Sequence, residues 1–472
     1  MIDQSFSEEN FRKIYDLEKR KGNDLDSFFS VFSKIEKYTN DVKKWNSIYK
    51  EFKKLRKEKK ISKSKFEQKV LDLNSRKKKS LNKREQEYAN VFNKISQEVS
   101  KNSFGIKLNL KTSKQLKDLY VIPSDSPNDF FALKQMQINL ERAYKVKQSN
   151  RKNIISSLKE VLDNNVSKCV IRTDIKSFYE TISNNKLMDY IDNDALLTFK
   201  NKLLFKSLFD EYENLSGMPK GLPRGVGVSA YLAELYMKRL DTAIKLDDRV
   251  LFYARYVDDI VVVTLGNKDV ANKLFSKLKQ QVSTDLDLEI NWEKTTPDPL
   301  NFDKSSIAQF EYLGYCFSYN GGQSLSISMS EKKINKVKRR IEKSISDFLF
   351  TAYKNKKTAS RMLLNRIRYL TSNTKLFGLK QNTLVGVYYS NNFINDLSCL
   401  DELDKFLKER ILDIDRKTSE LPIDFAPLIS ELNKYSFKKG FQEKIFRQYK
   451  APNKSLPSSS YLHEIVKVWK NA

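Results

Sequence analysis

The chain has 472 residues, more than one hydrophobic core usually serves, so two to four domains are expected. Its 87 Lys and Arg against 59 Asp and Glu leave a net charge of +28, a field that favours a polyanionic partner, nucleic acid before any other. A single histidine, His463, and three widely separated cysteines, Cys169, Cys316 and Cys399, exclude His-based catalysis, multi-histidine metal sites, thiolate zinc sites and a disulfide framework. Acid–base or metal chemistry therefore falls to carboxylates and lysines, and the cysteines read as core residues. No run approaches the roughly 18 apolar residues of a spanning helix, and Met1-Ile2-Asp3-Gln4-Ser5 lacks the pattern of a signal peptide. A cytoplasmic protein with no membrane partner is expected.

Residues 1 to about 100 alternate apolar positions with dense charge, almost without glycine or proline, and predict basic helices. Arg76-Lys77-Lys78-Lys79 is their densest run, either a solvated face or a clamp on phosphates. Pro123 and Pro127 mark a break into a new unit, and helical periodicity returns from Leu133 to Leu162 with Arg142, Lys145, Lys147, Arg151 and Lys152 crowded together. From Val170 the pattern becomes mixed, with strand-like runs alternating with helical ones. An apolar strand ends at Asp174 and is followed by Phe178-Tyr179. A glycine-rich turn, Gly221-Leu222-Pro223-Arg224-Gly225, leads into a helix expected from Ser229, the candidate cap, to about Leu240. After Gly321-Gly322, a predicted turn, the chain is mostly helical. Lys332, Lys333, Lys336, Lys338, Arg339 and Arg340 flank an apolar stripe there. Pro422 and Pro427 set off a tail, and Ser455 to Ser460 reads as a loop.

The centre of the pattern is Tyr256-Val257-Asp258-Asp259, lying between Val250–Ala254 and Ile260–Val263, two runs rich in β-branched and aromatic residues. The spacing predicts a β-hairpin whose tight connection carries two adjacent carboxylates. Ionised carboxylates beside apolar strands cost several kcal/mol or so each unless a cation or hydrogen bonds compensate, so something positive belongs there.

Taken in order, the strand-terminal Asp174, the Leu222-Pro223-Arg224-Gly225 turn, the Asp258-Asp259 hairpin, Lys294 and Tyr312-Leu313-Gly314 resemble motifs A to E of the reverse-transcriptase palm. The resemblance covers roughly residues 120 to 330 and reaches less far into a thumb. Gly221–Gly225 followed by Ser229-Ala230-Tyr231-Leu232-Ala233-Glu234-Leu235-Tyr236 is most similar to bacterial defence-associated and abortive-infection enzymes. The resemblance implies an α+β right-hand polymerase with fingers, an antiparallel-sheet palm and a thumb. Residues 1-104 would form a basic helical extension, 105-170 the fingers, and 171-329 the palm with a finger insertion at about 190-220. Residues 330-400 would be a helical thumb and 401-472 a helical extension.

For the site, the resemblance implies two Mg2+ ions, or Mn2+, about 4 Å apart. Asp174 and Asp258 would bridge them, with the carbonyl of Ile175 as a backbone ligand and Asp259 as a weaker one. Lys294 would protonate the leaving pyrophosphate, and Tyr179, five residues after Asp174, would exclude a ribose 2′-hydroxyl and select dNTPs. Arg172, Arg224 and Gly225 would contact the substrate, although Arg224 departs from the family's commoner glutamine. Arg172 and Arg255 either bind triphosphate or pair with acids. Tyr312-Leu313-Gly314 matches the primer grip, with Phe310, Tyr315 and Phe317 as core. Arg76, Lys77, Lys78, Lys79, Lys336, Arg339 and Arg340 would hold nucleic acid. The expected activity is RNA-directed DNA synthesis in antiviral defence, with a structured non-coding RNA, a DNA product, and a second protein subunit or a homo-oligomer as partners. Alternatives are a retron or group II intron-like enzyme, an untemplated or protein-primed DNA-synthesising enzyme, and a non-catalytic RNA-binding scaffold. Residues after Ser330 carry no clustered acids of an RNase H or integrase segment.

Overall fold

The computed structural model describes residues 2–112, 117–164, 166–376, 383–418, 424–449 and 458–470. Pro422 and Ser455 to Pro457 lie outside them. Packing divides the chain into two units, each assembled from separated stretches. The first comprises Met1–Gln148, Lys176–Arg239 and Ser283–Leu288, and the second Ser149–Ile175, Leu240–Val282 and Glu289–Ala472. The five contiguous segments expected above are cut by motif rather than by packing, and these units cross their boundaries. Elements are numbered along the chain.

The first unit begins with α1 (Glu8–Arg20), which Ser7 caps by accepting from the Asn10 amide, with Glu8 and Glu9 in the first turn and Lys19 and Arg20 in the last. A short α2 (Leu25–Phe28) leads to α3 (Ser33–Lys57) and α4 (Lys63–Ser100). At 38 residues α4 is about 57 Å long. α3 packs along α4, while α1 packs on α4 and on α5 (Pro127–Tyr144), where Pro127 occupies the first helical position. Phe11, Tyr15, Phe29, Phe32, Phe92 and Phe131 are all buried and meet ring to ring, so aromatic area anchors this end of a highly charged hairpin. α3 itself buries only Ile35 among its described residues, so most of its surface is solvated.

Strands β1 (Asn109–Lys111) and β2 (Leu119–Val121) pair antiparallel. The unit continues with α7 (Phe178–Thr181), α8 (Asn184–Asn193), α9 (Phe199–Ser216) and α10 (Gly227–Lys245), whose last turns belong to the second unit. The helix expected from Ser229 thus begins two residues earlier. Ser229 is no cap: it lies inside the first turn, 1 % exposed, and its hydroxyl donates to the Pro223 carbonyl at 2.8 Å.

In the second unit α6 (Arg151–Leu162) precedes β3 (Lys168–Asp174). The fully buried Lys168 turns its ammonium back to the Leu162 and Asn164 carbonyls, both at 3.0 Å, and so satisfies the C-terminal end of α6. β4 (Val250–Tyr256), β5 (Asp259–Leu265) and β6 (Leu300–Asn301) complete an antiparallel sheet of order β4-β5-β3-β6. Its central strands read as continuous apolar runs because both faces are covered, with α11 (Lys268–Gln280) packed on β3 and β5.

A second sheet, β7 (Ile307–Tyr312), β8 (Tyr315–Asn320) and β9 (Ser326–Met329), shares its core with α6 and with α12 (Glu331–Thr351), α13 (Lys356–Thr371) and α14 (Ser398–Thr418). β10 (Asn373–Lys375) pairs with β11 (Leu384–Gly386). α15 (Ala426–Leu432), α16 (Phe437–Gln442) and α17 (Ser458–Lys467) pack against this helical group. Pro427 therefore sits in the first turn of a helix, and Ser458 to Ser460 open a helix rather than continue a loop.

Candidate active site

The expected hairpin is β4–β5, with Tyr256 paired to Asp259 across a two-residue turn of Val257 and Asp258. Val257 has φ +62° and Asp258 is not among the positive-φ residues, the pattern of a type II′ turn, which normally places glycine where Val257 stands. On the neighbouring strand Asp174 lies directly opposite Asp259. The Ile175 amide donates to the Asp258 carbonyl at 3.1 Å, which ties the end of β3 to the turn. The register thus brings three carboxylate-bearing positions to one end of one sheet.

Like charges directly opposite on a sheet repel, and the site carries two cations against them. Lys294 places its ammonium 3.0 and 3.2 Å from the two oxygens of Asp174, whose side chain is 5 % exposed. Arg172, two residues before Asp174 and on the same face of β3, donates to Asp259 at 3.4 Å and to the Lys294 carbonyl at 2.9 Å. The compensation is incomplete at Asp259. Burial pushes its carboxyl up, Arg172 pulls it down, and the charges of Asp174 and Asp258 push it up again, to about 6.

Asn291 completes the surroundings of Asp174. Its side-chain amide donates to Asp174 Oδ1 at 2.9 Å and its backbone N–H to the Asp174 carbonyl at 2.8 Å. Thr295 holds this stretch in shape by donating to the Asn291 carbonyl at 2.8 Å, and its hydroxyl oxygen lies 3.3 Å from the Asp174 amide. Asn291 is a functional residue that the sequence reading missed. Its signal is the three-residue spacing from Lys294, legible only once the lone bridge from Ile175 to Ile290 sets the stretch beside β3.

Arg255 is a structural residue. It is 4 % exposed, and its guanidinium grips Asp241 at 2.9 and 2.7 Å and donates to the Val257 carbonyl at 2.8 Å, while the Tyr253 hydroxyl donates to the same Asp241 at 2.6 Å. Of its two expected readings, pairing with an acid is the one observed. Asp241, a second residue missed from sequence, therefore supports the hairpin turn from α10. Tyr312 is fully buried, and its hydroxyl donates to the Asp259 carbonyl at 3.1 Å, so its side chain backs the hairpin from the core and is withdrawn from any nucleic acid. What the turn after it can present is the backbone of Leu313 (φ +46°) and Gly314 (φ +76°), anchored by Arg151 donating to the Leu313 carbonyl at 3.0 Å. Phe310, Tyr315 and Phe317 are buried as expected.

Tyr179, Arg224 and Gly225 belong to the first unit. Arg224 pairs in two-pronged fashion with Glu180, at 2.8 and 3.1 Å, and its guanidinium stands 5.0 Å from the centre of the Tyr179 ring. Gly225 has φ +98°, and a Cβ there would meet the Tyr120 carbonyl at 2.7 Å. On α4, Arg76 pairs with Asp72 and Lys77 donates to Asn46 at 2.8 Å, whereas Lys78 and Lys79 are exposed. On α12, Lys336 and Arg339 are exposed, and Arg340 stacks 5.5 Å from the Trp469 ring.

Residues 105–317 match the family model described as reverse transcriptase (RNA-dependent DNA polymerase). The chain carries a reverse transcriptase domain. Its fold is the α+β right-hand polymerase fold. No curated protein gives a significant match. Among solved structures, apo telomerase from Candida tropicalis is 15 % identical with a TM-score of 0.37, covering 77 % of this chain and 65 % of its own. Telomerase from Candida albicans in complex with a TWJ fragment of telomeric RNA is 13 % identical with a TM-score of 0.36, covering 77 % and 64 %. The chain thus spans less than two thirds of these telomerases, and a likeness this distant assigns no function.

Reverse transcriptase domains use divalent metal ions, typically Mg2+. The donor set at the end of this sheet suits such an ion: hard carboxylate oxygens with uncompensated negative charge at Asp259. Among the described residues no group of three or more Asp, Glu, His or Cys side chains is drawn together tightly enough to hold a metal, and the Lys294 ammonium occupies Asp174 instead. The fit is therefore one of charge and donor chemistry. Among the described residues no helix is long and apolar enough to cross a membrane.

Proposed function

We propose that this protein is an RNA-directed DNA polymerase of a bacterial antiviral system, working with a structured non-coding RNA. The observation that carries the polymerase reading is the register that sets Asp174 opposite Asp259 beside the Asp258 turn, with Lys294 on Asp174. When bound, two divalent ions would lower the pKa of a primer 3′-hydroxyl and hold the leaving phosphates. Asp174 and Asp258 would hold them, helped by the Ile175 carbonyl and, more weakly, by Asp259. Lys294, half exposed, would leave Asp174 and bring its proton to the departing pyrophosphate. Arg172 would stay beside Asp259 to balance charge, and the Leu313-Gly314 backbone would meet the primer end. Tyr179, in the first unit, would be the residue that excludes a ribose 2′-hydroxyl. The DNA product would leave along the basic face of α12.

The antiviral placement rests on the wording of Gly221–Gly225 and Ser229–Tyr236. The RNA partner is supported by the +28 charge, which the site at the end of the sheet does not require.

Replacing Asp258 and Asp259 together by Ala should abolish dNTP incorporation on an RNA template while leaving thermal unfolding and RNA capture intact, because burial and carboxylate repulsion outweigh the Arg172 contact at Asp259 when no metal ion is bound. Incorporation at the wild-type rate by the double variant would refute the assignment. Sequencing the nucleic acid that copurifies with the protein identifies the RNA and any DNA product in the same measurement, including DNA covalently joined to the chain.

A further inference from the structure

We propose that Arg224 is a positioning residue that fixes the ring of Tyr179 and thereby sets how strongly the enzyme prefers deoxynucleotides over ribonucleotides. The inference rests on the polymerase reading above and adds to it a residue that works through another.

Three observations carry it, all within the first unit. The Arg224 guanidinium makes a two-pronged pair with Glu180, Nε to Oε1 at 2.8 Å and Nη2 to Oε2 at 3.1 Å, and Glu180 is the next residue after Tyr179. The same guanidinium stands 5.0 Å from the centre of the Tyr179 ring, within cation–π range. The backbone repeats the connection. The Leu222 amide donates to the Tyr179 carbonyl at 2.7 Å and the Gly221 amide to the Ile182 carbonyl at 2.8 Å. The approach is close enough that a Cβ on Gly221, at φ +111°, would lie 3.1 Å from the Tyr179 and Glu180 carbonyl oxygens. The glycine turn and α7 are thus stitched together through main chain, with Arg224 as the side-chain staple.

The chemistry selects arginine at this position. A planar guanidinium can offer two parallel N–H groups to a carboxylate and a flat cationic face to a ring at the same time. A glutamine amide carries no charge and cannot do both, and a lysine is a point charge without the fork. Lys117, 3.0 Å from Glu180, supports the pair from a second side. Burial works to raise the Glu180 carboxyl, but the hydrogen bonds from Arg224 and Lys117 outweigh it and hold the group below its usual range, so the anion that anchors the guanidinium stays ionised. Arg224 restrains the ring from one side, beside the Phe178 ring 5.7 Å away. Without it, Tyr179 gains rotamers that leave room for a 2′-hydroxyl.

The test is single-nucleotide incorporation by the full chain on a supplied primer–template, reading kcat/KM for a dNTP and for the matching rNTP. The proteins are wild type, Tyr179→Ala, Arg224→Gln, Glu180→Gln and Tyr179→Ala with Arg224→Gln. Tyr179→Ala should lower the dNTP-to-rNTP ratio most. Arg224→Gln and Glu180→Gln should each lower it by a similar, smaller factor, roughly three- to thirtyfold, the range that a cation–π contact of this kind corresponds to. Arg224→Gln should change the ratio no further once Tyr179 is Ala. Glu180→Gln gives the same readout if Arg224→Gln does not fold.

If Tyr179→Ala moves the ratio and both neighbouring variants slow the two substrates equally, Arg224 is merely structural and the inference is overturned while the polymerase reading stands. A further fall in the ratio on adding Arg224→Gln to Tyr179→Ala also overturns it, since Arg224 would then act on the sugar directly. No change with Tyr179→Ala removes the gate and the inference together, and no incorporation by the wild-type chain removes the polymerase reading.

Discussion

Val257 holds a β-branched side chain at φ +62°, where sterics favour glycine, a conformation that costs about 1–3 kcal/mol. The turn keeps it because both flanks are pinned: Arg255 donates to the Val257 carbonyl, and the Asp258 carbonyl accepts from the Ile175 amide. Val257→Gly should therefore stabilise the fold by about 1 kcal/mol after the entropic cost of glycine, read as a higher urea midpoint at unchanged slope. A lower midpoint would show that the Val257 side chain contributes packing that outweighs the strain. Asn291 makes a different argument. Its amide is a neutral donor to a buried carboxylate, and hydrogen bonds to charged groups contribute about 1.5–3 kcal/mol. Asn291→Ala should lower kcat/KM for nucleotide incorporation roughly 10- to 100-fold, with thermal unfolding little changed. Full activity in that variant would assign Asn291 to backbone shape alone. Asp174, Asp258 and Asp259 could be singled out in the sequence because each ends or begins an apolar run. Asn291 could not, since its partner is 117 residues away and the stretch between has no periodicity that predicts the meeting.

Among the elements, the turn between β7 and β8 shows a charge placed where it is expensive. Lys333, on the first turns of α12, donates to the Ser390 carbonyl at 2.9 Å, stands 5.1 Å from the Tyr315 ring and faces Arg151, which lies 5.4 Å from the same ring. Burial first and the Arg151 charge second push its amine down to about 7. Between pH 7 and the ordinary lysine range the unfolded chain binds more protons at this residue than the folded one, so stability rises with pH across that window, and below pH 7 the full penalty is present. Lys333→Met should therefore raise Tm at pH 6, with the gain shrinking as pH approaches 10. A gain of equal size at both pH values would point to packing instead of charge. The β4–β5 hairpin was legible because continuous apolar runs rich in β-branched and aromatic residues flank a short polar gap, and α4 because few breakers interrupt it. The start of α10 was misplaced because Gly227-Val228 reads as turn, whereas the Pro223 carbonyl and the buried Ser229 hydroxyl settle the first turn. The residues around Lys294 form one bridge and a series of turns, because their hydrogen bonds go to β3 and its end through Asn291, Thr295 and Thr296.

At the scale of the whole molecule the question is what +28 is for. α4 is long, thinly buried over its first half and rich in cations, and Lys78 and Lys79 are exposed where Arg76 and Lys77 already have partners. RNA affinity should fall with salt at a log–log slope of magnitude roughly 0.7 to 0.9 per phosphate neutralised. Replacing Arg76, Lys77, Lys78 and Lys79 by Ser should weaken capture of the copurifying RNA and flatten that slope, with most of the effect from Lys78 and Lys79, while incorporation on a short supplied duplex changes little. Equal loss in filter binding and in primer extension would place these cations in the polymerase cleft. The discontinuity of the two units bears on something else, the order in which the protein can be made. The first unit draws its last stretch from Ser283–Leu288, long after Gln148 has been synthesised. At about 5–20 residues per second the ribosome needs on the order of ten to thirty seconds to supply it. For that interval a strongly cationic, incompletely packed nascent chain is held beside the message that encodes it.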